Sequence, residues 1–260
     1  MKRLLIFLYG LIGYLLFFVT ILYAIGFVGS FGVPKAINDG PVVGLGEALL
    51  VNSAILVLFV VQHTIMARPA YKQWVTRYLA QPMVRSTFVI AASAILLLLF
   101  WQWRPMPTVL WDVQQPVAWW ALFGASMVGW LMVFFSSFLI DHFDLFGLRQ
   151  VILHLRGMPY EERPFVVRSL YRFVRHPLML GFLIAFWFTP TMTWGHFFFA
   201  AMTTGYIFFG VNVEERDLIR HHGENYLAYR RRTSMILPLK APAPAVTASG
   251  DESSRQSVTA

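Results

Sequence analysis

Four uninterrupted apolar stretches, at about residues 4 to 28, 45 to 66, 85 to 103 and 117 to 140, constrain this chain more than any other feature. Each is close to the roughly 20 residues that a helix needs to cross the hydrocarbon core of a bilayer. Backbone groups in hydrocarbon must be satisfied internally, which only helices and closed barrels achieve. The expected fold is therefore all-α, a polytopic transmembrane helical bundle with four long spans. A fifth apolar region, 178 to 213, is too long for one pass. Pro190 and the segment from Thr191 to Gly195 divide it, which predicts a C-terminal helical hairpin within or across the bilayer. With 57% hydrophobic and 13% charged residues, the chain lies outside the range of soluble domains.

Lys2 and Arg3 precede the first stretch, but it is longer than a signal-peptide core and lacks a small-residue cleavage site, so it reads as a retained span. Arg68, Lys72, Arg77 and Arg85 fall between the second and third stretches, whereas the first and third connections carry only Lys35 and Arg104 between them. By the positive-inside rule the N-terminus, the second and fourth loops and the Arg230-Arg231-Arg232 tail all face the cytoplasm. The net charge of +8 is then a signature of membrane orientation and anionic lipid, not of nucleic-acid binding. The absence of cysteine removes disulfides, Cys-ligated metals and Cys nucleophiles. Three regions follow: four transmembrane helices over 1–140, a cytoplasmic loop with the hairpin and a binding core over 141–239, and a disordered tail over 240–260.

Charges are scarce here, so their placement is informative. The stretch RHPLMLGF, Arg175 to Phe182, puts Pro177 at the start of a helix whose free N–H groups suit an anion. Gly181, one turn on, permits close approach of a ligand or another helix. After the apolar region comes EERDLIRHHGENYLAY, in which Glu214 and Glu215 stand together at the membrane edge. They suit an ammonium group or ribose hydroxyls, or else Arg216, Arg220 or Arg230 in an internal network. A third cluster, Asp141, His142, Asp144 and Arg149, ends the fourth span; its carboxylates either pair with Arg or serve chemistry. His63 inside the second span reads as a hydrogen-bonded helix contact. Neither a metalloprotease, a P-loop nor a nucleophile-elbow motif occurs, and no metal site is expected.

The two C-terminal motifs together resemble the isoprenylcysteine carboxyl methyltransferase superfamily, whose pattern is R-H-P-x-Y-x-G, an apolar hairpin, then E-E-x-x-L-x-x-x-F-G-x-x-Y-x-x-Y. The matches are Arg175, His176, Pro177 and Gly181, then Glu214, Glu215, Leu218, Gly223, Tyr226 and Tyr229, with Met179 and His222 departing from it. Within the superfamily, LLFWQWRP ending at Pro105 and HFDLFGLRQV at 142 to 151 make the chain most similar to the membrane-bound methanethiol S-methyltransferases. That resemblance implies S-adenosylmethionine as cofactor, a small volatile thiol as acceptor and dimethyl sulfide as product. It implies a cytoplasmic cofactor site of Arg172, Arg175, His176, Pro177, Gly181, Glu214, Glu215 and Tyr226. His142, Asp141 and Asp144 are then the candidates for activating the thiol, with Tyr171 and Arg149 as orienting or charge-stabilising groups. A larger lipid-type acceptor, and a non-catalytic NnrU-like role, are the alternatives. Oligomeric state stays open.

Overall fold

The structure is a computed structural model that describes residues 1–161 and 166–244. In chain order it comprises α1 (Lys2–Gly29), α2 (Leu45–Ala67), α3 (Pro69–Val75), α4 (Val84–Gln102), β1 (Val109–Asp112) and α5 (Pro116–Ile140). Then follow α6 (His142–Leu145), α7 (Leu148–Arg156), α8 (Pro177–Trp187), β2 (Thr191–Thr193), α9 (Trp194–His222) and α10 (Glu224–Arg232). The first four long helices coincide with the apolar stretches to within about two residues, because in hydrocarbon the backbone groups of a single segment are satisfied only by helical pairing. Five helices, α1, α2, α4 with its leading turn, α5 and α9, are long and apolar enough to cross a membrane, as befits an integral membrane protein.

The hairpin is unequal. Its second arm, α9, is a full span that continues through Glu214 and Glu215 to His222. Its first arm, α8, has 11 residues, roughly 16 Å at 1.5 Å per residue, too short for a hydrocarbon core of about 30 Å. Extended residues 188–190 complete the traverse and lead into β2, which pairs antiparallel with β1. Polar groups freed where α8 stops are taken up by neighbours. Ser126 Oγ donates to the Ala185 carbonyl at 2.9 Å, and His196 Nε2 donates to that of Phe186 at 2.8 Å. The loop after α1, the β1–β2 ribbon and the ends of α4 and α9 gather at one end of the bundle: Lys35 Nζ donates to the Trp101 and Trp103 carbonyls, and Thr193 Oγ1 to Asn38. At the other end lie the N-terminus, α3, α6, α7 and α10. There α7 lies against α1, with Val151 filling the space beside Gly10.

Close approach of α5 and α8 sets the position of everything after residue 176. A Cβ added at Gly129 would stand 2.5 Å from the Ala185 nitrogen, and one at Gly181 would stand 2.8 Å from the Gly129 carbonyl oxygen. Small residues therefore let two backbones touch, the usual means of packing helices where lipid supplies no hydrophobic drive. Gly181, read from the sequence as permitting close approach of a ligand or another helix, admits the backbone of α5. The tail expectation also needs correction at its start. Ala243 is buried and exchanges two hydrogen bonds with Arg172, its N–H to the Arg172 carbonyl at 2.8 Å and its carbonyl from Arg172 Nε at 2.7 Å. Residues 245–260 lie outside the described residues.

Because the atoms met are backbone, Gly129→Leu and Gly181→Leu should each destabilise by about 1–3 kcal/mol, the usual cost of overpacking. Thermal unfolding in detergent should show both melting below the wild type, while Gly124→Ala, whose Cβ meets nothing within 4 Å, stays level. Equal melting of all four proteins would refute the close-packing account.

Candidate functional site

Glu215 organises the end of the bundle that holds the N-terminus, α7 and α10. Its side chain is 5% exposed and that of Arg175 7%, and Arg175 Nε reaches its Oε1 at 2.6 Å. His176 Nε2 lies 3.2 Å from the same oxygen, and Arg230 Nε lies 3.2 Å from Oε2. Arg175 Nη1 also donates to the carbonyls of Thr233 and Arg230. Backbone bonds from Arg175 N–H to Ser234 and from His176 N–H to Met235, at 2.9 and 3.1 Å, hold the RHP segment beside the chain that follows α10. One carboxylate thus ties the start of α8, the middle of α9 and the end of α10. A buried charge this well partnered is a structural element, and Arg175 has little left to offer a ligand.

Glu214 behaves differently. Successive residues on a helix point about 100° apart, so while Glu215 turns toward Arg175 at the start of α8, Glu214 turns to the side on which Arg85 of α4 acts. It is 52% exposed, yet His176 Nδ1 stands 3.6 Å from its Oε2, and Arg85 and Asp217 act on it electrostatically. Glu214 is thus a carboxyl group with one side open. Tyr171 stands near enough to act on it and walls that side: burial first, then Glu214 and Tyr229, push its phenol pKa up, so it stays a neutral donor. Tyr171 packs with Val167, Tyr226 and Tyr229, and its carbonyl accepts from the Tyr229 hydroxyl at 2.6 Å. Tyr226 is 1% exposed and is held up in pKa chiefly by burial, so it supports the wall from behind. Pro177 opens α8 with its first-turn N–H groups unsatisfied within the helix.

The other cluster is occupied by its own members. His142 is 2% exposed. One ring nitrogen bonds the Tyr14 hydroxyl at 2.9 Å and the other the Ser137 hydroxyl at 2.8 Å. Phe138 stacks on the ring at 4.2 Å, and Phe134 and Phe146 lie at 5.6 and 4.9 Å. Burial lowers its pKa against the opposing pull of Asp141, so the ring is neutral. Asp141 accepts from the Asp144 N–H and starts α6. Asp144 pairs with Arg149 at 3.0 Å and with the Tyr160 hydroxyl at 3.1 Å. The expectation that His142, Asp141 and Asp144 activate a thiol meets a physical obstacle, since both nitrogens and both carboxylates are committed. Arg172, engaged with Ala243, is likewise committed.

One group escaped the sequence reading. Arg85 was counted only as a loop cation, but its Nε donates to the Leu145 carbonyl at 2.7 Å and its charge acts on both Asp144 and Glu214, so it links the clusters. Arg230, one of the three arginines read from the sequence as partners of Glu214 and Glu215 in an internal network, pairs with Glu215. The signal for Arg85 was its position at the first turn of a span, where a charge has a cost unless partnered.

Removing the organising charge should be severe. Glu215→Gln leaves Arg175 buried without its anion, and breaking such a pair costs roughly 3–5 kcal/mol. Asp144→Asn at a pair that is 19% and 23% exposed should cost no more than about 1 kcal/mol. Melting temperatures in detergent should separate the two variants widely. Equal values would contradict the assignment of Glu215 as the structural carboxylate.

The NnrU protein family matches residues 51–213, from α2 through the RHP segment and to the position before Glu214. Methanethiol S-methyltransferase 1 of Bradyrhizobium diazoefficiens is 52% identical over 232 residues, covering 89% of this chain and 81% of that protein. Methanethiol S-methyltransferase of Mycobacterium tuberculosis is 52% identical over 241 residues, covering 92% and 98%. Mouse Nurim is 31% identical over 173 residues, covering 63% and 65%. No solved structure matches the chain. Identity of this degree along nearly the whole length places the chain in the NnrU family and, within it, in the group of relatives named methanethiol S-methyltransferase.

Proposed function

We propose that the chain is a membrane-bound methyltransferase that passes a methyl group from S-adenosylmethionine to methanethiol, releasing dimethyl sulfide, at the end of the bundle that faces the cytoplasm. The observation that carries this is 52% identity, along 92% of the chain, to a relative named for that reaction. The orientation is supported by Arg68, Lys72 and Arg77 between α2 and α4 and by Arg230 to Arg232, all at one end.

The cleft fits the donor. S-adenosylmethionine carries an ammonium, a carboxylate and ribose hydroxyls, and the cleft joins the Glu214 carboxyl group to the N-terminus of α8 and the Tyr171 phenol. Glu214 would take the ammonium or ribose, and the α8 N–H groups the carboxylate. His176, between Glu214 and Glu215, orients the former. Arg175, Pro177, Gly181, Arg172 and Tyr226 act by holding these groups in place. Asp141, His142, Asp144 and Arg149 hold the floor from which Arg85 projects. When bound, the sulfonium supplies an electrophilic methyl group for in-line displacement, so the protein contributes alignment and exclusion of water.

Full-length protein in detergent should melt higher with S-adenosylmethionine or its demethylated product, and should yield dimethyl sulfide in the headspace when methanethiol is added. No sulfide above an enzyme-free control would reject the reading. Glu214→Gln should keep the wild-type melting temperature without ligand but weaken donor binding about 10- to 100-fold, as expected for a lost charge-assisted hydrogen bond. Undiminished donor affinity would remove Glu214 from the donor site.

A further inference from the structure

α2 carries a histidine that the donor site leaves unused. His63 lies one turn before the inner end of α2, and its Nδ1 is buried with no hydrogen-bond partner among the described residues. The expectation of a helix-to-helix bond from this residue is not met there. Its ring instead sits among aromatic rings, Phe88 at 4.7 Å, Phe59 at 5.1 Å and Tyr206 at 6.2 Å. An unpaired buried nitrogen costs about 1–3 kcal/mol, and nothing in the packing of these helices requires it. Arg85, whose guanidinium lies over the Phe88 ring at 5.0 Å, is close enough for its charge to act on both His63 and Glu214.

Across from His63, α9 presents Tyr206, Gly210 and Glu214 at successive four-residue steps, hence on one face. A Cβ at Gly210 would meet nothing within 4 Å. Gly210 is half-buried, so at this one position between the Tyr206 ring, which packs with His63, and the Glu214 carboxyl group no neighbouring atom takes the place of a side chain. On the outer side of the same helices an apolar groove of about 350 Å³ runs between Leu56, Phe59, Val60, Met202, Tyr206 and Phe209. The Phe59 and Tyr206 rings line this groove and also pack with the His63 ring, so they join the lipid-facing groove to the imidazole.

We infer that the open space at Gly210 receives the small apolar thiol from the bilayer through the α2–α9 groove, and that His63 is the catalytic residue that takes the thiol proton beside Arg85; this rests on the methyl-transfer reading above. An alkyl thiol is mostly protonated near neutral pH, since a free Cys thiol has a pKa of about 8.5. The S–H bond breaks and its proton passes to the Nδ1 lone pair of His63. The thiol sulfur uses its freed electron pair to form a bond to the sulfonium methyl carbon. The methyl–sulfonium bond breaks, its electron pair stays on the donor sulfur, and a neutral thioether leaves on each side. His63 then returns the proton to water. The thiolate carries its charge only between these steps, and the Arg85 guanidinium, anchored on the Leu145 carbonyl, faces it.

The test compares ethanethiol with trifluoroethanethiol, which has the same chain length and a far more acidic S–H. With full-length His63→Asn in detergent, ethanethiol methylation should fall roughly 10²–10⁴-fold, the usual contribution of a positioned base. Trifluoroethanethiol, already ionised without help, should lose less than about tenfold. The rise in melting temperature with S-adenosylmethionine should match the wild type. Equal losses for both thiols, no loss for either, or a lost response to S-adenosylmethionine would each overturn the role of His63. Should this variant fail to fold, Gly210→Leu decides: it should keep the S-adenosylmethionine response and lose ethanethiol turnover more steeply than methanethiol turnover, and unchanged turnover of both overturns the site. A wild type that methylates no thiol defeats the functional reading itself; an active wild type with an equally active His63→Asn defeats only this inference.

Discussion

The buried ion pair between Arg175 and Glu215 is the interaction on which the rest of its end of the bundle depends. Neither charge could stay in a membrane protein alone, and each is met by several partners: two cations and a histidine on the carboxylate, and backbone carbonyls on the guanidinium. The pair has a directional consequence as well as an energetic one. It sets the rotation of α9 about its axis, because Glu215 must face α8. With that rotation set, Glu214 has to point to the side on which Arg85 of α4 acts, and so do Gly210 and Tyr206 one and two turns below it. The direction of that face of α9 is thus a by-product of a structural bond on the neighbouring residue.

A second constraint acts on α8. Its backbone touches that of α5 through Gly129, Gly181 and Ala185, which fixes its N-terminus and His176 beside Glu214 and Glu215, where we propose the donor binds. The helix can be short because its early end is compensated: Ser126 and His196 cap the last carbonyls, and the chain continues extended to a ribbon with β1. Non-helical backbone at such depth is tolerated only where protein surrounds it or supplies the missing bonds.

The four long spans were legible because an apolar run of that length has one stable conformation in lipid, whatever its neighbours do. The lengths of the hairpin arms were not. Glu214 and Glu215 look like the end of a span, but Glu215 is neutralised from three directions by residues far away in sequence, so α9 runs on to His222. Pairing of that kind is tertiary and leaves no local pattern. The RHP and EE motifs were legible as a unit because charges at a membrane edge are rare, yet the division of labour between Glu214 and Glu215 needed the helix rotation. The histidines were the hardest to place. His142 sits among carboxylates in sequence and turns out to be satisfied on both nitrogens, while His63 sits among apolar residues and turns out to have a nitrogen unsatisfied. Sequence neighbours say little about a side chain whose partners come from other helices.

The proposed reaction joins two molecules that prefer different phases, and the geometry gives each its own approach. A zwitterionic, sulfonium-bearing donor belongs to water, and the polar cleft of Glu214, Tyr171 and the α8 N-terminus opens at the end of the bundle. A small alkyl thiol partitions into hydrocarbon, and the groove beside Phe59 and Tyr206 lies on the lipid face. The two meet one helical turn apart along α9, between Gly210 and Glu214. Water needs to be excluded only there, because a hydrated thiolate is a poor nucleophile and a desolvated one is not. Aromatic rings around His63 keep that point dry, while Arg85, tied to Glu214 on one side and to Asp144 on the other, supplies the positive potential that a dry thiolate lacks. A soluble enzyme would have to build both environments from its own core. Here the bilayer provides the apolar one, and the chain has only to place a single cation at the boundary.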